Sequence, residues 1–299
     1  MDALSRALGL IKPQTYISSG ISAKTPWSIH ISAYRGIKLN TIVEGSCLLK
    51  IDGDDTVHEL KTGDCFLLTS GRPFILASDL QTPSMDFQDL LKKKDQGVIR
   101  VNGGGDYFCI GARFDFPSEA TDFLFKNLPP LINIPQTSEQ SSVLRFSLEQ
   151  FVEEFRSDHQ GRELVLEHLL QFMLVHTFRA YMNADPQRTG WLGALGDKNL
   201  SRALGLIQND LKKNWKVEEL AENLGMSRST FALKFKDCLG FSPIDYARNL
   251  KMLVAQQKLI HSEDSIAQIA ESLGYESESS FRLAFKRVTL VPPARFRRQ

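Results

Sequence analysis

The side chains best suited to chemistry in this sequence form two matched sets. Arg228, Ser229, Ala232, Leu233 and Lys236 make one, and Ser279, Arg282, Leu283 and Lys286 make the other, with the shared positions fifty residues apart. The chemistry they can do is recognition of a nucleic acid duplex. A guanidinium such as Arg282 can grip guanine with two hydrogen bonds, a leucine can meet a thymine methyl group, and a lysine can meet phosphate. Catalysis needs other groups, and they do not gather. No nucleophile beside a base, paired carboxylates or phosphate loop emerges. The glycines Gly103 to Gly105 lack the Lys-Ser/Thr that completes a phosphate cradle, and Lys92 to Lys94 reads as a solvated face. Cys47, Cys65, Cys109 and Cys238 contain no Cys-x-x-Cys pair, so free thiols are expected rather than a zinc site or a redox dithiol. His168 and His176 lie eight residues apart without an acidic or cysteine partner. No catalytic residue, metal or cofactor is expected.

The recognition sets must be positioned by a pattern that is written twice. Val217, Leu220, Ala221, Leu224 and Gly225 recur 49 positions later as Ile266, Ile269, Ala270, Leu273 and Gly274. At an offset of 50, Phe231, Phe235, Lys236 and Pro243 are answered by Phe281, Phe285, Lys286 and Pro293. In each copy apolar residues at helical spacing break at Leu-Gly and resume after serines, Ser227 and Ser229 or Ser277, Ser279 and Ser280. That spacing predicts helix, tight glycine turn and capped second helix at about 217–238 and 265–288. With each Phe pair turned into a core, a helix advancing about 100° per residue presents the two recognition sets outward. Such a second helix enters a DNA major groove.

Residues 200 to 298 resemble the AraC/XylS family of transcription regulators, through WKVEELAENLGMSRSTFALKFKDCLGFSPIDYAR and SIAQIAESLGYESESSFRLAFKR. The resemblance implies double-stranded DNA and RNA polymerase as partners, and one long helix joining the two units, here about Pro243 to His261. Two departures stand out. The family usually has glycine where Leu290 matches Gly240, so a different turn is expected there, and it often has arginine at Leu233 and Leu283.

Composition agrees with a soluble, two-domain globular protein: 299 residues, 42% hydrophobic and 24% charged. The longest apolar run is too short to span a membrane, and Asp2 and Arg6 interrupt any signal peptide, so a cytoplasmic protein is expected. The net charge of +1 hides a split. Residues 196–299 hold 17 Lys and Arg against 12 Asp and Glu, leaving the earlier part acidic, and the basic half is the half with the repeat.

Short β-branched runs at Ile37 to Val43, Cys47 to Ile51, Thr56 to Leu60 and Cys65 to Thr69 are separated by glycine turns, which predicts a small β-sandwich or barrel. Val43 to Leu76 resembles a cupin barrel, and the resemblance implies a pocket for a small effector. Aligned on Gly45, Gly63 and Gly71, however, the metal-ligand positions hold Lys38 and Phe74, with Ser32 and Tyr34 near the histidine pair, while His30 and His58 fit neither motif. A metal-free pocket is therefore expected, with Trp27, His30, Tyr34 and Phe74 as candidates to line it. The glycine-rich stretch before position 106 reads as a flexible loop. From Ser138 the period is helical, with Leu144, Leu148, Phe151 and Phe155 on one face and a broad apolar helix from Leu164 to Tyr181, suited to packing on the barrel or to pairing in a homodimer. Residues 182 to 198 read as a linker. The octapeptide LSRALGLI occurs at both 4–11 and 200–207, as two short amphipathic helices.

The expected architecture is thus α+β: a cupin-like effector-sensing barrel at 1–120, a helical connector at 121–190 with possible dimerisation, and an all-α DNA-binding domain at 191–299. The expected function is effector-controlled, sequence-specific transcription regulation. A cupin enzyme with an appended DNA-binding domain is the alternative, and an architectural DNA-binding protein a third.

Overall fold

The computed structural model describes residues 2–11, 13–116, 122–125, 127–135, 141–184 and 189–298. After helix α1 (Ala3–Ile11) come strands β1 (Gln14–Ala23), β2 (Ser28–Ile31), β3 (Ile37–Glu44), β4 (Ser46–Ile51), β5 (Val57–Lys61), β6 (Cys65–Leu68), β7 (Phe74–Ala77) and β8 (Met85–Asp86). Helix α2 (Phe87–Leu91) is followed by β9 (Val98–Val101), β10 (Tyr107–Asp115), α3 (Asp122–Phe125) and β11 (Leu131–Ile134). The rest is helical: α4 (Ser141–Arg156), α5 (Arg162–Ala184), α6 (Gly190–Gly196), α7 (Lys198–Asn209), α8 (Val217–Asn223), α9 (Arg228–Leu239), α10 (Pro243–His261), α11 (Ile266–Ser272), α12 (Glu278–Thr289) and α13 (Pro293–Phe296). Two units result. One holds 14–115 and 129–181, and the other holds 1–13, 116–128 and 182–299.

In the β-rich unit the described strands form a six-stranded sheet, ordered β11-β6-β3-β10-β1-β9, and a five-stranded sheet, ordered β5-β4-β7-β2-β8. Between them lies a core that includes Trp27, Ile29, Ile31, Ile42, Leu49, Phe66, Leu68, Phe74, Phe87 and Tyr107. Residues directly opposite on paired strands share a face. Lys38 pairs with Leu68 and Asn40 with Phe66, so β3 turns Lys38 and Asn40 toward this core. The other face of the same sheet is covered by helices: α4 packs on β3, and Thr177 of α5 meets Cys65 of β6 at 3.7 Å. That double coverage explains why Ile37 to Ile42 are all buried instead of alternating. The stretch read as a loop before position 106 is more ordered than its composition suggests. Val98 to Val101 pair in parallel with Gly20 to Ala23, between a turn at Gln96 and Gly97 and a second that starts at Asn102, with positive φ at Gly103, Gly104 and Gly105.

In the helical unit, α8 to α13 follow the doubled pattern. Residues 182–198 contain a helix rather than a linker. Although Gly190, Gly193 and Gly196 suggested a loop, Trp191, Leu192 and Ala194 are fully buried in α6, which packs on α9. Two of the glycines allow close approaches of other backbone: a Cβ at Gly190, whose φ is +83°, would lie 2.8 Å from the Asn127 carbonyl oxygen, and one at Gly196 2.9 Å from that of Met182. The repeated octapeptide forms α1 and most of α7, and the two copies pack on each other, with the Arg6 guanidinium donating to the Gln208 carbonyl at 3.1 Å.

Candidate functional site

Each helix-turn-helix unit is built by the same local forces. The first, α8–α9, turns at Gly225 with φ of +65°, and Ser227 caps α9 by accepting from the Thr230 N–H at 3.2 Å. The second, α11–α12, opens with a capping box in which Ser265 accepts from Gln268 N–H and the Gln268 side chain accepts from Ser265 N–H. It turns at Gly274 with φ of +77°, and Ser277 caps α12 through the Ser280 N–H. Phe231 and Phe235 are fully buried with ring centroids 5.7 Å apart, and Phe281 and Phe285 repeat both the burial and the distance. Helix α10 joins the units, begun by Ser242 and Pro243, and its Met252, Ala255 and Leu259 enter the core of the second unit.

With the phenylalanines inward, the outward faces of α9 and α12 are fixed. Ser229, Leu233 and Lys236 are exposed and Ala232 is half-buried, while Ser279, Arg282, Leu283 and Lys286 are all exposed. Leu233 and Leu283 keep 63% and 74% of their surface in solvent, far more than a core-packing role would allow. Arg228 is paired with Glu218 at 2.8 Å, and Arg282 Nε donates to Glu278 at 2.7 Å. Exposed pairs of this kind hold weakly, by about 1 kcal/mol or less, so both arginines can exchange a carboxylate for DNA. Lys236 and Lys286 have no acidic partner among the described residues. Sequence reasoning did not include Lys234, which pairs with Asp197, the cap of α7, at 2.5 Å and so ties α9 to α7.

The turn after α12 is not built differently from its counterpart. Gly240 ends α9 at φ +82°, ψ 3°, and Leu290 ends α12 at φ +62°, ψ −4°, each donating its N–H to the carbonyl four residues back. A leucine in this left-handed conformation costs about 1 to 2 kcal/mol, because its Cβ crowds the following carbonyl. Leu290→Gly is therefore expected to stabilise the helical unit by about 1 kcal/mol. Urea denaturation monitored in that unit measures this.

Of the residues expected to line an effector pocket, Trp27 and Phe74 are buried in the core between the sheets, and Tyr34 packs against it with its ring edge-on to Phe74 at 6.1 Å. His30 stands apart. Its strand neighbours Ile29 and Ile31 both enter that core, so the alternation of a strand puts His30 on the opposite face. The Trp27 indole nitrogen and the Tyr34 hydroxyl are buried without hydrogen-bond partners among the described residues. No cluster of three or more potential metal ligands occurs among the described residues. The buried thiols of Cys47 and Cys65 are pushed up to about 12 by burial, with the Tyr107 hydroxyl beside Cys47 and the Thr177 hydroxyl beside Cys65 opposing that rise.

A pair of capped helix-turn-helix units on one connecting helix defines a DNA-binding protein. Residues 220–299 match a helix-turn-helix domain family, and residues 2–183 match a cupin family. A putative AraC-like transcription regulator of Streptomyces antibioticus is 34% identical over 299 residues, covering 100% of this chain and 99% of that one. The transcriptional regulator AlkR of Acinetobacter baylyi is 28% identical over 306 residues, covering 100% of each. Among solved structures, the C-terminal domain of the response regulator AraT from Geobacillus stearothermophilus is 31% identical, covering 34% of this chain and 85% of that one with a TM-score of 0.33. The chain belongs to the AraC-like transcription regulators and carries a cupin domain before its DNA-binding helices. No described helix is long and apolar enough to cross a membrane.

Proposed function

We propose that this regulator reads two successive major grooves with α9 and α12 and is controlled by a small molecule bound in a metal-free, barrel-like cupin domain. The observation that carries the reading is the repetition of an exposed leucine and lysine at aligned positions on two recognition helices whose phenylalanines are buried. Ser229, Ala232, Leu233, Ser279, Arg282 and Leu283 would face base edges, and Arg228, Lys236 and Lys286 phosphates. Residues 1–120 would sense the effector and 191–299 bind DNA. Segment 121–190 would pair two copies of the chain through the exposed Phe146, Leu164 and Phe172 of α4 and α5. The protein would act in the cytoplasm with RNA polymerase and without enzymatic activity.

Genomic footprinting of the full chain with and without candidate metabolites tests this function. Discrete protected sites whose occupancy changes with a metabolite are expected. Uniform, weak coverage of the genome would replace the reading with that of an architectural protein.

A further inference from the structure

Between α7 and α8 the chain reads DLKKNWK from Asp210 to Lys216, a polar run with neither helical nor strand period, so its shape depends on side chains that reach it. Asp210 supplies the first ties: its carboxylate accepts from the Lys213 N–H at 3.0 Å and its carbonyl from the Trp215 indole at 3.1 Å. The end of the run is fastened to the first helix-turn-helix unit. Glu219 of α8 pairs with Lys213 at 3.5 Å and accepts from the Lys216 N–H at 3.2 Å. Its beginning and middle are fastened to the second unit. Leu211 packs against the core that contains Met252, Ile269, Phe281 and Phe285, and the Lys212 carbonyl approaches the turn of that unit so closely that a Cβ at Gly274 would collide with its oxygen. Asn214 closes the contact. Its side-chain nitrogen donates to the Gly274 carbonyl at 3.3 Å, and its oxygen accepts from Lys251 Nζ at 2.9 Å. Lys251 lies on α10 with 6% of its surface exposed, its amine 5.7 Å from the centre of the ring of Tyr275, the residue after that glycine.

Each unit also packs on its own stretch of α10, the first at Tyr246, whose ring lies 6.0 Å from that of Phe235, and the second at Met252, Ala255 and Leu259. Two bodies carried on one helix can still move relative to each other as that helix bends. A second tie, from the start of α8 through Asn214 to the Gly274 turn, closes a ring with α10 and removes that freedom. We propose that Asn214 is a positioning residue: it clasps the loop to the Gly274 turn and to Lys251, so that α9 and α12 keep a fixed separation and the regulator selects operators by the spacing of their two half-sites. This rests on the reading that both helices enter DNA.

The consequence for DNA is geometric. Adding or removing one base pair between half-sites moves one of them by about 3.4 Å along the axis and turns it by about 34°. A held pair of helices can then meet both half-sites only if the duplex is twisted or bent, which costs energy that the matched spacing does not. With the clasp released, the second unit can follow the shifted half-site, while the matched operator loses the advantage of a pre-ordered pair. Asn214 is itself exposed and lies outside the apolar core of the second unit, so its replacement leaves that packing in place.

The test titrates the full chain on an operator selected from random DNA, on the same operator with one base pair inserted or deleted between its half-sites, and on one with the half-site assigned to α12 scrambled. The wild type should prefer the matched spacing over either shifted one by about tenfold or more. Asn214→Ala should weaken binding to the matched operator more than to the shifted ones, and so reduce that preference to about threefold or less. Asn214→Asp offers Lys251 an acceptor but gives the Gly274 carbonyl no donor, so it should relax the preference as well. An equal loss on all three spacings, or no loss, in Asn214→Ala would overturn the assignment and leave the spacing to α10 alone. A preference as sharp as that of the wild type in Asn214→Asp would overturn the clasp on the turn and leave Asn214 a partner for Lys251. A wild type that binds every spacing alike, yet weakens when the second half-site is scrambled, would overturn the fixed separation. Indifference to that scrambling is a separate result and would refute DNA reading by α12 itself.

Discussion

Gly274→Ala should disable the second helix-turn-helix, whereas Gly225→Ala, at the matching position of the first, should leave its unit folded. Both glycines have positive φ, so each substitution carries the left-handed penalty of about 1 to 2 kcal/mol. Their surroundings differ. A Cβ at Gly225 meets nothing within 4 Å, but one at Gly274 would lie 1.8 Å from the Lys212 carbonyl oxygen and 2.8 Å from its carbon. Those are backbone atoms and cannot rotate away. Overpacking adds about 1 to 3 kcal/mol, so Gly274→Ala should cost about 2 to 5 kcal/mol in all. Urea denaturation should resolve the difference, and on DNA Gly274→Ala should lose protection of one half-site while Gly225→Ala keeps both. Equal effects of the two substitutions would show that the turn before α12 does not approach Lys212 as described.

The second large effect concerns base reading. Arg282→Ala should cost about 1 to 3 kcal/mol of binding to a selected operator and relax the preference at one base pair, because a bidentate guanine contact is lost. Lys286→Ala should weaken all sequences alike and lower the slope of affinity against salt by about one phosphate contact. The ion pair within α12 adds a control. Glu278→Gln frees Arg282 and removes a carboxylate from the face that meets the duplex, so it should tighten binding to operator and scrambled DNA. Each variant is measured on both DNAs at two salt concentrations. Equal losses for Arg282→Ala on the two DNAs would make it a phosphate contact.

Much of this surface could be read from residue order because the recognition helices are local structures. Leu-Gly, the capping serines and the spaced phenylalanines act within a dozen residues, and Ser227, Ser277, Phe231 and Phe281 do in the fold what their spacing requires. Helix α10 likewise runs from Pro243 to His261, the span that the family resemblance implied for it. Less was legible wherever a distant neighbour decides. The glycines around Trp191 suggested a linker, and only the close approach of Asn127 and of Met182 explains why they are glycines within and beside a helix. Leu290 takes a turn that sequence assigns to glycine, because the same helix end must be closed and the chain continues to α13. In the cupin domain the identity of Lys38 puts a cation where the cupin resemblance implies a metal ligand. Its burial depends on β6, β10 and α2 closing around it, which no spacing along the chain reveals.

Hydroxyl-radical footprinting of the full chain on one selected operator tests the central claim most directly. If α9 and α12 both read DNA, backbone protection should fall in two segments centred one helical turn apart, about 34 Å, on a single face of the duplex. Arg282→Ala should weaken contacts in one segment only. A single protected segment, unchanged when the outward face of α12 is altered, would contradict the claim and leave the second helix-turn-helix a packing element.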